Sequence, residues 1–333
     1  MNSLTSDTPE IHNSWKHWIT KDTTLRVPED FGSIEAVSSF LSDKLWPTDV
    51  TVYIDVADGI YTPSANELAS NKVELNTSNQ SVLKGRTTIE KTISAFVSAT
   101  GSAGNWDVIL TLNNLTGLTV GKFVNIYDLA GTGDPEAVGG CLEITNLSGS
   151  NITVKSLHKA GTFPTLTITS GVLDANLTSF EQLVIFVNSN VTVTRINVIN
   201  DLSNSIGITV SKSNNSLNLS YVGFAKQTYG IFSSNHISYI SLGVGVCFSG
   251  HYSGIVTGNV AFYGNPSITG CTNGIVSTTN AGFYGITNSV AGNTIDFYAS
   301  KKGLIILPQD YTSTRALSPA WQVSGNDDGL ITD

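Results

Sequence analysis

The chain has 333 residues, enough for one large domain or two to three ordinary ones, and only 13% of them are charged. Its formal net charge of −9 at pH 7 excludes nucleic acid as an expected partner, because phosphate binding needs a basic stripe that is absent here. No stretch approaches the length of a membrane span, and residues 1–18 lack the apolar segment of a signal peptide. We therefore expect synthesis in the cytoplasm and no membrane insertion.

Residues 1–27 are polar, with Trp15 and Trp18 as the main side chains to bury. Such a segment cannot form a core of its own, so it is either disordered or docked on another chain. We favour docking through the two tryptophans, because free aromatic side chains rarely serve a solvated tail.

A helix is predicted over Ser33–Leu45, with Ser33 as N-cap and Pro47 as its end. Its apolar stripe consists of Ile34, Val37, Phe40, Leu41 and Leu45. An alternating strand over Val50–Ile60 follows directly and ends at the turn Asp58–Gly59. A helix that leads into the first strand of a stacked structure would cap its open end.

From residue 108 to residue 175, four or five alternating strands are separated by turns rich in glycine, serine and threonine. This pattern predicts a small antiparallel barrel or sandwich inserted into the rest of the fold. Its loops could bind a ligand, or the module could help subunits to pack; the sequence leaves both open.

A short phrase then returns every twenty-odd residues. It is Gly-Ile at Gly207–Ile208, Gly230–Ile231, Gly254–Ile255 and Gly274–Ile275, and a looser version is Asp296–Phe297. Seven residues before each of the last four anchors lies another apolar residue: Phe224, Phe248, Ile268 and Val290. A period in this range is typical of a solenoid, in which each repeat buries its apolar face against its neighbours.

The residues between these anchors predict strands. The apolar runs are four or five residues long, β-branched or aromatic, and broken by Gly, Asn and Ser. The fold class predicted is therefore all-β: a right-handed parallel β-helix with a short capping α-helix and an inserted antiparallel β module. An antiparallel sandwich with evenly spaced strands is the alternative. The glycine of the phrase predicts a turn of positive φ just before each strand.

Three motifs near the start of the chain resemble the opening of β-helical bacteriophage tail spikes and tail fibres, which are related in fold to pectate lyases. They are Phe31–Val37, Val52–Tyr61 and Val82–Gly85. A second block is similar to a small β insertion of many phage tail proteins: Val120–Ile126, Gly131–Asp134, Gly140–Ile144 and Ile152–Pro164. The resemblance implies a trimer that attaches a virion to its host.

The coils are poor in groups for acid–base chemistry. From Leu202 to Ser300 the only acidic residue is Asp296, whereas glycoside hydrolysis needs two carboxylates at a defined separation. We assign no catalytic residue, no metal ligand and no cofactor. A polysaccharide depolymerase remains an alternative, with a site between subunits or built from Asp174, Glu181 and Asp201.

What the coils do carry is aromatic. Phe-Tyr pairs recur near the end of the chain, and alternation places one ring inward and the next outward. Tyr263, Tyr284 and Tyr298 are thus predicted to form one outward ladder, which suits sugar rings or another subunit.

The lack of charge on the coils favours a symmetric assembly that covers their surfaces, and a homotrimer agrees with the resemblance. We predict that the chain is a phage tail fibre or tail spike subunit in the virion that binds a host surface polysaccharide or receptor. A connector or baseplate protein without receptor binding is a further alternative. The parts of the chain are a virion-attachment segment 1–27, a capping helix with the first coils 28–107, the inserted module 108–175, the β-helix 176–307 and a C-terminal extension 308–333.

Overall fold

A computed structural model gives the chain as a β-solenoid of about 8 turns with parallel sheets. It describes residues 18–62, 73–77, 80–181, 183–187, 190–200, 205–211, 216–233, 239–251, 253–258, 261–264, 266–278, 282–284, 290, 293–299, 304–306, 322–323 and 330–332. The predicted parallel β-helix with its short helix and its inserted antiparallel module is confirmed. Within the described ranges, no helix has both the length and the apolar character needed to cross a bilayer.

The solenoid opens with five strands and one α-helix. Their bounds are β1 Thr23–Val27, α1 Ile34–Leu41, β2 Val52–Val56, β3 Gly59–Tyr61, β4 Val73–Thr77 and β5 Ser81–Gly85. Strand β1 pairs in parallel with β2, and β2 pairs in parallel with β5. Stacking therefore begins before the helix, within residues that we assigned to the N-terminal segment. The pattern of apolar residues in this strand is weak, because only Leu25 and Val27 of β1 face the core.

The predicted helix over Ser33–Leu45 ends earlier, at Leu41. Ser33 caps it as predicted, since its Oγ accepts a hydrogen bond of 3.2 Å from the backbone N–H three residues along. Of the predicted stripe, Phe40 is exposed within the helix, and Leu45 is exposed beyond its end. The stripe members that α1 buries are Ile34, Val37 and Leu41.

Six antiparallel strands then form a closed barrel. They are β6 Thr88–Ser102, β7 Asn105–Leu112, β8 Phe123–Thr132, β9 Gly140–Ser148, β10 Asn151–Ser156 and β11 Thr167–Asn176, with a 3₁₀ helix at Pro135–Val138. The barrel starts at Thr88, upstream of the expected boundary at residue 108, because two register shifts in β6 disturb its alternation. It encloses a hydrophobic core separate from that of the solenoid.

The coils resume after the barrel. Their strands are β12 Thr178–Phe180, β13 Leu183–Val187, β14 Val191–Ile199, β15 Ile206–Ser211, β16 Ser216–Ala225, β17 Tyr229–Ser233, β18 Tyr239–Leu242, β19 Cys247–Ser249, β20 Ser253–Gly258, β21 Ala261–Gly264, β22 Ser267–Thr269, β23 Asn273–Thr278, β24 Gly282–Tyr284, β25 Ile295–Ala299, β26 Leu304–Ile306, β27 Gln322–Val323 and β28 Leu330–Thr332. Most of the expected C-terminal extension, residues 308–333, lies outside the described residues.

The solenoid has three faces. In the described part of the chain its strands form a 14-stranded and an 8-stranded sheet. The larger sheet bends within β14 at Arg195 and within β16 at Tyr221, where φ is 57° and 55°, and so supplies two faces. The first face contains β2, β5, β18, β21, β24 and the first halves of β14 and β16. The second contains β3, β12, β19, β22 and the second halves, and the third is the smaller sheet.

Columns of apolar residues fill the interior, and they are the anchors of the predicted repeat. On the third face, backbone pairing aligns Ile208, Ile231, Ile255, Ile275 and Phe297. On the second face it aligns Phe224, Phe248, Ile268 and Val290. All of these residues are buried, so the predicted stacking of repeats is confirmed.

The glycines of the repeat have another role than the predicted one. Gly207, Gly230 and Gly254 do not have positive φ. A Cβ atom on Gly230 would lie 2.5 Å from the carbonyl oxygen of Gly254 in the next coil and 2.5 Å from Cδ1 of Phe248. The prediction of a positive-φ turn was therefore wrong: the glycine is required because two coils and an aromatic ring meet there.

The barrel leaves the solenoid at a corner. Lys84 of β5 pairs with Thr194 of β14 in the next coil. In that next coil, the single residue Arg195 forms the corner. In the coil of β5, the barrel is inserted at the same corner, directly after Gly85. The chain returns at β12 on the second face, and the first and last barrel strands, β6 and β11, pair with each other. Both adjoining faces therefore keep their pairing.

Candidate functional site at the junction of barrel and coils

The barrel packs on the outer side of the second face through strands β8 and β9. The outward residues beneath it are small or polar and buried: Asn197, Gly223, Cys247 and Ser267 in one column, and Ala225, Ser249 and Thr269 in the next. A Cβ atom on Gly223 would lie 2.6 Å from Oδ1 of Asn197 and 2.8 Å from Sγ of Cys141. Small side chains on the coils therefore let the barrel approach closely.

Three buried asparagines hold the barrel in place on the coils. Asn125 of β8 donates to Oδ1 of Asn197 at 3.3 Å, and Asn176 of β11 donates to the same oxygen at 3.2 Å. The Nδ2 of Asn176 also donates a hydrogen bond of 2.8 Å to the carbonyl oxygen of Tyr221 at the solenoid corner. A buried network of this kind fixes one orientation of the two parts.

Beside this network lies a buried carboxyl group, that of Asp174, which is 1% exposed. Its Oδ2 accepts a hydrogen bond of 2.6 Å from the Tyr127 hydroxyl, whereas its Oδ1 has no hydrogen-bond partner among the described residues. Burial raises the pKa of Asp174 to about 6, although the Tyr127 hydrogen bond acts in the opposite direction. At neutral pH the fold thus holds a buried negative charge that is only partly compensated.

Replacement of Asp174 by asparagine is expected to stabilise the protein at pH 8. The folded-state pKa lies above the unfolded one, so the stability linked to this group is present below about pH 4 and is lost as the pH rises through 6. Asparagine keeps an acceptor for Tyr127 but carries no charge, and we expect a gain of about 1–3 kcal/mol in the free energy of unfolding. Denaturant unfolding at pH 4 and pH 8 measures it.

The matched control is Asp107→Asn, which removes a half-exposed carboxylate paired with Lys155 at 2.7 Å. We expect this change to alter stability by less than about 1 kcal/mol at either pH. A loss of stability at pH 8 in Asp174→Asn would contradict the prediction and would show that the charge is stabilised by the fold.

A cleft of about 270 Å³ opens next to Tyr127, where the barrel meets the corner between β18 and β19. We name it the junction cleft. The barrel contributes Tyr127, Asp128 and Glu136 to its lining, and the solenoid contributes residues 242–246 and Ser267. It therefore combines two carboxylates, an aromatic ring and an apolar wall.

Asp128 is directed by a β-bulge. Tyr127 pairs with Val172 and Ala130 pairs with Ser170, so two residues of β8 oppose one residue of β11. The backbone of Asp128 has a φ of 51°, a conformation that aspartate tolerates better than most residues. A bulge changes the direction of a side chain relative to the sheet, and here it coincides with the one carboxylate of β8 at the cleft.

The solenoid wall of the cleft results from a change in coil length. Four residues lie between Leu242 and Cys247, but only two lie between Gly264 and Ser267, which pair with them in the next coil. The corner that lines the cleft is therefore two residues longer than the next one. Gly245 has a φ of 71°, and a Cβ atom there would lie 2.9 Å from Cδ1 of Tyr221 and 3.1 Å from Cζ of Tyr127, so a larger residue at this position would be strained.

The structure places the three predicted tyrosines on two faces. The backbones of Tyr263 and Tyr284 are paired on the first face. Tyr298 belongs to β25 on the third face, where it pairs with Val276. The single ladder is therefore wrong in its third member. Instead, the exposed ring next to Tyr263 is that of Tyr239, with ring centroids 6.3 Å apart.

Of the two predicted docking residues, Trp15 lies outside the described residues. Trp18 forms an isolated parallel bridge with Leu45, and both side chains are about half exposed. Docking through these residues stays a prediction.

Of the acidic residues considered for an alternative site, Asp174 lies at the junction, Glu181 follows β12, and Asp201 lies outside the described residues. Sequence reasoning missed Asp128 and Glu136, because nothing in the chain near them indicates contact with residues more than one hundred positions away. Among the described residues, no group of three or more His, Cys, Asp or Glu side chains is placed to hold a metal ion.

No protein-family model matches the chain, and no curated protein matches its sequence. Among solved structures, the chain is similar to the Gp54 tailspike of Acinetobacter baumannii bacteriophage AP22, determined in complex with A. baumannii capsular saccharide. The identity is 11% and the TM-score 0.25, over 78% of this chain and 56% of the tailspike chain.

Proposed function

We propose that this chain is a subunit of a bacteriophage tail spike or tail fibre whose first face binds a host surface polysaccharide. The observation that carries the proposal is the pair of exposed rings on this face: Tyr239 is 40% and Tyr263 48% exposed, and their planes are inclined by 79°. Paired aromatic rings on a rigid sheet offer apolar surfaces with polar edges, which suits sugar rings.

The surface around the rings also suits a neutral ligand rich in hydroxyl groups. In the three coils before Tyr263, the outward column consists of Thr192, Asn218 and Ser241, which are polar and uncharged. Hydroxyl and amide groups at fixed spacing can donate to and accept from sugar hydroxyls. The parallel pairing holds this column rigid along successive coils.

The same proposal includes assembly and attachment. Three copies of the chain form one tail spike or tail fibre, and the N-terminal segment with Trp15 and Trp18 binds another virion protein. The half-exposed Trp18 and Leu45 at the N-terminal end of the solenoid support an attachment there. Light scattering should then give about three times the chain mass of 35.3 kDa, and a monomer would contradict the trimer.

Tyr263→Ala is expected to weaken polysaccharide binding about tenfold or more, because it removes one of the two rings that a sugar would contact. Binding is measured on an array of bacterial capsular and O-antigen polysaccharides, with the molar mass checked in parallel. Tyr298→Ala is the matched control, since it removes the same side chain from the third face and should bind like the wild type.

Two results would contradict this function. If the wild-type protein bound no polysaccharide on the array and did not block phage adsorption, a connector without receptor contact would be favoured. If Tyr298→Ala lost as much binding as Tyr263→Ala, the site would not lie on the first face.

A further inference from the structure

The junction cleft contains a buried polar group that nothing nearby satisfies. Ser267 lines the cleft and is 3% exposed, and its Oγ has no hydrogen-bond partner among the described residues. A buried hydroxyl without a partner costs free energy, and such groups are uncommon in folded proteins. This hydroxyl is therefore a group to which a bound ligand can contribute a hydrogen bond.

The cleft is also negative. Asp128 and Glu136 line it. Burial is the main cause that raises the pKa of the Cys247 thiol, and Cys141 and the carboxylates of Asp174, Glu136 and Asp128 act in the same direction. The solenoid wall adds Leu242, Val244 and Val246, which carry no charge. This lining favours a ligand that is cationic and partly apolar, because it combines two carboxylate acceptors, an unsatisfied hydroxyl group and an apolar wall.

We infer that the junction cleft binds a single sugar unit that carries a free amino group. A volume of about 270 Å³ lies just below the roughly 300–1,000 Å³ of pockets for drug-sized ligands, so it has room for one ring. The protonated amine donates to the carboxylates of Asp128 and Glu136, and hydrogen bonds between charged groups are about twice as strong as neutral ones. Ser267 bonds a ring hydroxyl, and the apolar face of the ring lies against Val244.

This inference rests on the proposed function for its biological ligand, an amino sugar within a host polysaccharide, but it names a site distinct from the tyrosine pair. The first face carries uncharged polar groups around Tyr263, whereas the cleft carries carboxylates. The two sites therefore differ in the ligand that they select, and each can fail without the other.

The test is calorimetric titration of the full chain with glucosamine, glucose and N-acetylglucosamine at about pH 6, where the amine is protonated. These sugars share a ring and differ at one substituent: an ammonium, a hydroxyl or a neutral amide. Glucosamine is expected to bind at least about tenfold more tightly than the other two, as a charge-assisted hydrogen bond requires. Asp128→Asn and Glu136→Gln should each weaken its binding about tenfold, and Ser267→Ala several-fold.

Asp49→Asn is the control, because it removes the same charge from an exposed position near the N-terminal end of the solenoid. It should leave glucosamine binding unchanged. Reduced hydrogen exchange at residues 242–246 on addition of glucosamine would locate the ligand in the cleft. Thermal unfolding of each variant identifies any variant that fails to fold. Val244→Trp is an independent variant that should lose binding, because Val244 is exposed at the rim of the cleft and the larger ring would fill the cleft.

Equal binding of the three sugars, or an equal loss in Asp49→Asn and Asp128→Asn, would overturn the inference. Polysaccharide binding that depends on Tyr263 without any binding of glucosamine would also overturn it, while the proposed function stands. Glucosamine binding in the cleft without polysaccharide binding on the array would support the cleft and contradict the proposed function.

Discussion

Replacement of Gly230 by alanine is expected to destabilise the solenoid by about 3 kcal/mol or more, the upper end of the range for overpacking a core. The new methyl group would lie 2.5 Å from the backbone carbonyl oxygen of Gly254, which the stacking of coils holds in place. It would also lie 2.5 Å from Cδ1 of the buried Phe248 ring. Neither neighbour is the end of a flexible side chain, so the coils must separate.

The measurement is the free energy of unfolding from denaturant titration, followed by far-ultraviolet circular dichroism. Gly161→Ala is the matched control, because a Cβ atom there meets nothing within 4 Å. We expect it to change stability by less than about 0.5 kcal/mol. If the two variants were equally stable, close stacking of the coils would not be the reason for the glycine.

Phe248→Ala is expected to destabilise the protein by about 3–5 kcal/mol, the cost typical of removing a buried aromatic ring. The Phe248 ring is fully buried and stacks on Phe224 with centroids 4.5 Å apart and planes inclined by 3°. Its loss leaves a cavity in the column at the centre of the solenoid. The same titration measures it, and Phe232→Ala, which removes a partly exposed ring from the third face, should cost clearly less.

The double variant Gly230→Ala/Phe248→Ala separates the two neighbours of Gly230. Without the Phe248 ring, the conflict of the new methyl group with the carbonyl oxygen of Gly254 remains. The losses should therefore be less than additive, as is usual for residues in contact. Strict additivity would show that the Phe248 ring moves away from the methyl group at no cost.

The repeat made most of the core predictable. Ile208, Ile231, Ile255 and Ile275 recur with their glycines, and a column of this kind requires only that each coil contact its neighbours. The prediction failed for Tyr298 although the signal was present. Tyr284 follows Tyr263 by 21 residues, one coil, but Tyr298 follows Tyr284 by 14, about two thirds of a coil. In a three-faced solenoid that shorter step leads to another face.

The amino-acid sequence by itself determined the class of fold, because periodicity and β-branched composition act between residues one turn apart. It also determined that an antiparallel module interrupts the coils. Only the tertiary structure decided where that module packs, since Asn125 meets Asn197 through the shape of two surfaces far apart in the chain. The junction cleft follows from that docking: it joins Asp128 and Glu136 of the barrel to Ser267 of the coils, and no local pattern encodes their proximity.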